Sequence, residues 1–182
     1  YYYLYNGDYL QGGSGTAWRH ATTTDHVSFR DRGVAIPKFT NDNGDCWSGC
    51  LVIDQQNTSG YGENAVIALV TQAPQGRQGQ YLWYSTDGGL TFQPSGTAPV
   101  LPNPDVQDFR DPKVIWDTDR GRWFMINAEG QKLGFYTSSN LRSWQRVGEF
   151  VRTDLGLLEC PDLFRITADD GTSHWVLGTS AN

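Results

Sequence analysis

The chain has 182 residues, a formal net charge of −6, 19% charged side chains, 13% aromatics and 21 glycines. That length suits one sizeable core, and an acidic chain without clustered Lys and Arg argues against a nucleic-acid partner. No run approaches the roughly 18 consecutive apolar residues of a membrane-spanning helix.

In chain order, Tyr1-Tyr2-Tyr3-Leu4-Tyr5 reads as a strand interior with no start signal before it. His20-Ala21-Thr22-Thr23-Thr24-Asp25 through Phe29 predicts a strand, a tight turn built on an Asx side chain, and a return strand. Trp47-Ser48-Gly49-Cys50-Leu51-Val52-Ile53-Asp54 is a strand with a polar head, and Ala65–Gln72 an apolar strand after it. The strand-turn-strand pattern returns at Tyr84-Ser85-Thr86-Asp87 through Phe92 and at Tyr136-Thr137-Ser138-Ser139-Asn140 through Trp144. The polar-headed strand returns at Arg110–Asp117 and Glu159–Ile166, followed by apolar Arg122–Ala128 and Trp175–Gly178.

These are internal repeats. The turn residues Asp25, Asp87 and Asn140 lie 62 and 53 positions apart, and the strand heads Trp47, Arg110 and Glu159 lie 63 and 49 apart. Four antiparallel strands recurring at such a period, with little helical periodicity anywhere, predict an all-β fold of propeller blades. A β-sandwich would satisfy the same alternation, but would not require chemically special strand heads. Residues 1–182 are expected to be a partial catalytic propeller domain: the last two strands of one blade, two whole blades and the first two strands of a further one. About three blades' worth cannot close a ring of roughly 4–8, so the chain is expected to be a piece of a longer protein.

In a propeller the first strand of each blade lines the central channel, so Trp47-Ser48, Arg110-Asp111 and Glu159 should converge. Carboxylates with an arginine and aromatics suit glycoside cleavage. Apolar Leu157 and Leu158 beside Glu159 predict a partly desolvated carboxyl. Three cysteines (Cys46, Cys50, Cys160) without a second CxxC pair give neither a disulfide framework nor a zinc site; a Cys46–Cys50 bridge is the one pairing left open.

Phe109-Arg110-Asp111-Pro112 resembles the Arg-Asp-Pro motif of glycoside hydrolase family 32, and Glu159-Cys160-Pro161-Asp162-Leu163-Phe164 its Glu-Cys motif. Trp47-Ser48-Gly49 and Trp18-Arg19-His20-Ala21-Thr22 resemble two further segments of that family, in the same order across the whole chain. The resemblance implies a five-bladed propeller and retaining cleavage of β-fructosidic bonds in fructans or sucrose-type substrates, without metal or cofactor. It implies Glu159 as general acid/base, Asp111 as transition-state stabiliser, Arg110 as substrate ligand, and Trp18, Trp47 and Ser48 as walls of the fructosyl subsite. It further implies an extracellular enzyme with a C-terminal β-sandwich domain in the intact protein.

Two departures stand out. The family's nucleophile lies in an Asn-Asp-Pro motif, whereas the nearest string here, Asn41-Asp42-Asn43, falls in the wrong unit. The nucleophile is therefore expected upstream of Tyr1. Leu4-Tyr5-Asn6-Gly7 replaces the usual Gln-Tyr-Asn-Pro, a difference that resembles bacterial levan fructotransferases. Lacking a nucleophile of its own, the chain also fits a non-catalytic fructan-binding propeller. Elsewhere Asp25 and Asp87 read as turn residues, Asp162 as a structural acceptor, His20 as structural, and Trp83, Trp116, Trp123, Trp144 and Trp175 as core.

Overall fold

A computed structural model of the protein describes residues 2–5, 16–38 and 41–182, the first of these segments by its backbone. Asn6 and Gly7 of the variant opening stretch lie outside the described residues. Four antiparallel sheets follow one another along the chain. The first contains β1 (Tyr2–Tyr5), β2 (Ala17–Thr22) and β3 (Arg30–Ile36); the second β4 (Gly49–Asp54), β5 (Ala65–Gln72), β6 (Gly79–Ser85) and β7 (Gln93–Pro94). The third contains β8 (Arg110–Asp117), β9 (Arg122–Ala128), β10 (Lys132–Ser138) and β11 (Gln145–Val151), and the last β12 (Leu158–Thr167) and β13 (Ser173–Ala181). Each is a meander of sequential neighbours. Among the described residues the one helical turn is a 3-10 turn at Pro74–Gly76.

The first sheet carries one strand more than the two expected, because Tyr2–Tyr5 pairs with Ala17–His20. The other boundaries follow the repeat frame, with β5 and β9 spanning two of the three apolar runs foreseen from sequence and β13 extending beyond the third.

Why these segments turn where they do is visible in one recurring hydrogen-bond motif. Asp87 Oδ1 accepts from the Leu90 and Thr91 amides at 3.0 and 3.1 Å, while Ser85 Oγ accepts from Gly89 N at 2.9 Å. Asp25 with Thr23, and Asn140 with Ser138, repeat the arrangement. A hydroxyl two residues before an Asx side chain satisfies the amides that the hairpin exposes. Asn41-Asp42-Asn43 is likewise a turn, with Asn41 Oδ1 accepting from Asn43 N at 3.1 Å.

The sheets pack face to face. β5 is buried almost throughout because successive side chains serve two interfaces. Ala68 and Val70 join Trp18, Ile36, Trp83 and Phe92 against the first sheet. Ile67 and Leu69 join Phe109, Val114, Trp123 and Met125 against the third. A smaller cluster of Ile126, Ala128, Leu133 and Leu158 lies between the third sheet and the β12–β13 pair. Each Ile, Leu or Val among them contributes about 1.5–3 kcal/mol on burial.

Of the tryptophans expected in the core, Trp83 and Trp123 are buried there and Trp116 and Trp144 pack against it. Trp175 instead is half exposed, lining with Leu163, Leu177, Phe124 and Phe135 an open cavity between the β12–β13 pair and the third sheet. Cys46, Cys50 and Cys160 are free thiols, so the Cys46–Cys50 bridge does not form; burial pushes Cys50 up to about 12.

Candidate active site

The strand heads meet where the second, third and last sheets adjoin. β8 and β12 open on the same device: the pairing register slips between Arg110 and Lys113 in one and between Glu159 and Asp162 in the other. A bulge of this kind bends a strand and re-aims its side chains. At each bulge the residue before proline takes a left-handed backbone, Asp111 at φ 57° and Cys160 at φ 48°. Such a conformation in a non-glycine residue costs on the order of 1–3 kcal/mol and persists where its surroundings hold it.

Three contacts tie the two heads together, each joining residues 49 positions apart. Arg110 Nη2 donates to Glu159 Oε1 at 2.9 Å, Cys160 N to Asp111 Oδ2 at 3.0 Å, and Lys113 Nζ pairs with Asp162 Oδ1 at 2.6 Å. Forty-nine is the repeat offset of the two motifs in the sequence. The frame that related them therefore also placed them side by side.

Arg110 bridges Asp108 and Glu159. Burial disfavours its charge, but hydrogen bonds to both carboxylates outweigh that and raise its pKa. Glu159 keeps a side chain 26% exposed, its second oxygen meeting the Asn182 amide and its backbone carbonyl accepting from Thr179 Oγ1 at 2.9 Å. The apolar setting expected from Leu157 and Leu158 is realised on one side only: Leu158 is buried, while the carboxyl head is ion-paired.

Asp111 is 8% exposed. Its Oδ2 also receives the Cys160 thiol at 3.7 Å. Burial, then the negative charges of Asp111 and Glu159, push that thiol upward and keep its proton available to donate.

On the neighbouring head, Trp47 is 39% exposed and Ser48 partly so. Both extend the β4–β5 ladder: Trp47 N donates to Thr71 O at 2.8 Å and Thr71 N to Ser48 O at 3.0 Å. Gly49 is required there, since a Cβ would lie 2.2 Å from the Leu69 carbonyl oxygen. Trp18, expected as a subsite wall, is 3% exposed and sits behind Trp47, its indole N–H donating to the Trp47 carbonyl at 2.8 Å. His20 is buried in β2, where desolvation lowers its pKa. Asp162 serves the Lys113 pair and the Leu163 amide.

Sequence reading missed the polar residues that support these heads: Asp108, Asn182, Thr71, Gln78 and Gln80. The last three carried a signal, being polar residues in or beside strands that otherwise read as core.

Known proteins share this arrangement of sheets. The profile of the glycosyl hydrolases family 32 N-terminal domain matches residues 1–182. The chain is 54% identical to the levanbiose-producing levanase of Bacillus subtilis (strain 168) and 53% identical to that of Geobacillus stearothermophilus, over all of its own length in both cases. It spans 36% and 46% of those two relatives. It also superimposes on a fructofuranosidase from Schwanniomyces occidentalis complexed with fructose, at a TM-score of 0.87 and 31% identity, over 97% of this chain and 36% of the other. An exo-inulinase from Aspergillus awamori gives the same TM-score at 29% identity, over 100% of this chain and 41% of the other. The sheets are accordingly blades of a five-bladed β-propeller, unclosed within these 182 residues. Profile, relatives and strand-head motifs agree that the chain belongs to glycosyl hydrolase family 32, whose N-terminal domain it matches from end to end.

Proposed function

We propose that the intact protein is a retaining β-fructosidase that acts on levan, with Glu159 as general acid/base and Asp111 as transition-state stabiliser. The observation that carries this reading is the meeting of two carboxylates on adjacent bulged strand heads, linked by Arg110 and the Cys160 amide. Glu159 would protonate the glycosidic oxygen as the fructosyl bond breaks, then take a proton from the acceptor in the second step. Asp111, fixed through Oδ2, would hold the fructosyl hydroxyls as positive charge develops on the ring. Trp47, backed by Trp18, and Ser48 would wall the sugar, with Arg110 as a further substrate ligand.

Retention requires a nucleophilic carboxylate about 5–5.5 Å from the acid. We assign it to a part of the protein outside these 182 residues, together with the blades that close the ring and a C-terminal β-sandwich. Levan is favoured over inulin and sucrose by the levanbiose-producing levanases at 53–54% identity, against 35% for Invertase 2 of Saccharomyces cerevisiae. Secretion is inferred from relatives such as the extracellular exo-inulinase of Meyerozyma guilliermondii.

The test is product analysis of the full-length protein on levan, inulin and sucrose. Levanbiose from levan is expected. A cyclic difructose would instead assign intramolecular fructosyl transfer, and binding without any cleavage would leave a fructan-binding propeller.

A further inference from the structure

The segment Phe109-Arg110-Asp111 presents a problem that strand pairing does not solve. At the bulge β8 pairs with β9 through Arg110 and then through Lys113, so the backbone around Asp111 lacks ladder partners on that side. Its amides and carbonyl still have to be satisfied, since an unmet buried polar group costs about 1–3 kcal/mol.

The partners come from side chains of the neighbouring blade. Thr71 Oγ1 accepts from Asp111 N at 3.2 Å and donates to Gln80 Oε1 at 2.9 Å. Gln80 Nε2 donates to Phe109 O at 2.8 Å, while Gln78 Oε1 accepts from Phe109 N at 2.7 Å. Thr71 and Gln80 are fully buried, so this chain is shielded from competing water. Thr71 sits at a junction, because its own backbone carries the Trp47-Ser48 head while its hydroxyl carries Asp111. Buried polar side chains such as Thr71 and Gln80 are costly to desolvate unless their hydrogen bonds are used. The two side chains bond to each other, and their remaining side-chain bonds end on the backbone of Phe109 and Asp111, which aims the Asp111 carboxylate.

We propose that Thr71 and Gln80 are positioning residues: a buried relay from the second blade that holds the left-handed backbone of Asp111 and so aims its carboxylate at the sugar. This rests on the reading that Asp111 acts on substrate. Left-handed Asp111 has an alternative in the ordinary extended region, which is the lower-strain state before a proline. The relay removes that alternative, and with it a population of enzyme whose carboxylate points elsewhere.

The experiment uses full-length enzyme and levan, with kcat and KM measured for Thr71→Val, Thr71→Ser, Gln80→Met, Asp111→Asn and the double variant Thr71→Val/Asp111→Asn. Thr71→Val keeps the volume and removes both hydrogen bonds. It should lower kcat roughly 10- to 100-fold, the scale of a small misplacement of a reacting group, with little change in KM. Thr71→Ser, which keeps the hydroxyl, should restore most of that rate, and Gln80→Met should resemble Thr71→Val. In the Asp111→Asn background Thr71→Val should cost nothing more, because there is no carboxylate left to aim. A purely structural role predicts losses that multiply and track the melting temperature. Wild-type kcat in a folded Thr71→Val, or multiplying losses in the double variant, would overturn the relay while leaving the site intact. Asp111→Asn with wild-type turnover would overturn the site reading and the relay together. Should Gln80→Met not fold, the Val and Ser variants at Thr71 decide alone.

Discussion

The amide of Cys160 donates to the Asp111 carboxylate at 3.0 Å, joining the left-handed residues of two successive blade heads. Each head therefore steadies the other, and the carboxylate that would face substrate is anchored through a single oxygen. Replacing Asp111 by Asn retains the shape and an acceptor for Cys160 but removes the charge. Turnover of levan by the full-length protein should fall by about 10²–10³-fold, with the melting temperature nearly unchanged. A large loss of stability would mean that Asp111 serves mainly to hold the bulge.

Glu159 offers a different separation of effects. A glutamine in its place could still meet Asn182 and Arg110 in outline, yet it has no acidic proton to transfer. Glu159→Gln should lower kcat by about 10²–10⁴-fold while leaving substrate affinity largely intact. Single-turnover rates with calorimetric binding of the substrate would show the split; retained turnover would remove Glu159 from the acid/base role.

Away from the site, Asp54 caps the β4–β5 turn, accepting from the amides and hydroxyls of both Thr58 and Ser59. Burial opposes its ionisation, but those hydrogen bonds prevail and hold its carboxyl below the ordinary range. A depressed folded pKa stabilises above the unfolded value of about 3.9. That contribution is lost as pH falls below it through the folded value. Asp54→Asn should therefore cost about 1–3 kcal/mol at pH 7, and the gap from wild type should narrow under pH 4. Denaturant melts at pH 7 and pH 3 on the full-length protein measure both.

Glu129 is a carboxylate wholly buried between β9 and β10, met by Arg146 Nη1 at 3.0 Å, by Tyr136 and, at 3.7 Å, by Lys132. Gly134 makes room for it, since a Cβ there would fall 1.9 Å from Glu129 Oε1. Removing the main counter-charge with Arg146→Met should destabilise by about 2–3 kcal/mol, below the figure for a fully buried pair because Arg146 is partly exposed. Adding Glu129→Gln should recover part of the loss, read as a double-mutant cycle in melting free energies.

Much of this architecture was legible in the residues. The strand-turn-strand frame could be read because Asx turns need a specific side chain at a specific place, as Asp25, Asp87 and Asn140 show. The 49-residue offset between Arg110 and Glu159 foretold their meeting, because equivalent positions of adjacent blades face one channel. Trp175 departs from its expected burial because alternation marks a face as apolar without saying how closely the next sheet packs on each residue of it. Trp18 and Trp47 look alike as residues, yet one lies behind the other.

What the sequence by itself determined was the blade repeat, which depends on local patterns of period two and on turn chemistry, and the family, which its strand-head motifs resemble. Only the tertiary structure decided how the heads are held. The left-handed turns at Asp111 and Cys160, the crossed hydrogen bond between them, and the support from Thr71, Gln78 and Gln80 are contacts between blades. Such contacts form only once the sheets stack, and no periodicity within a single strand encodes which buried polar group will find which partner.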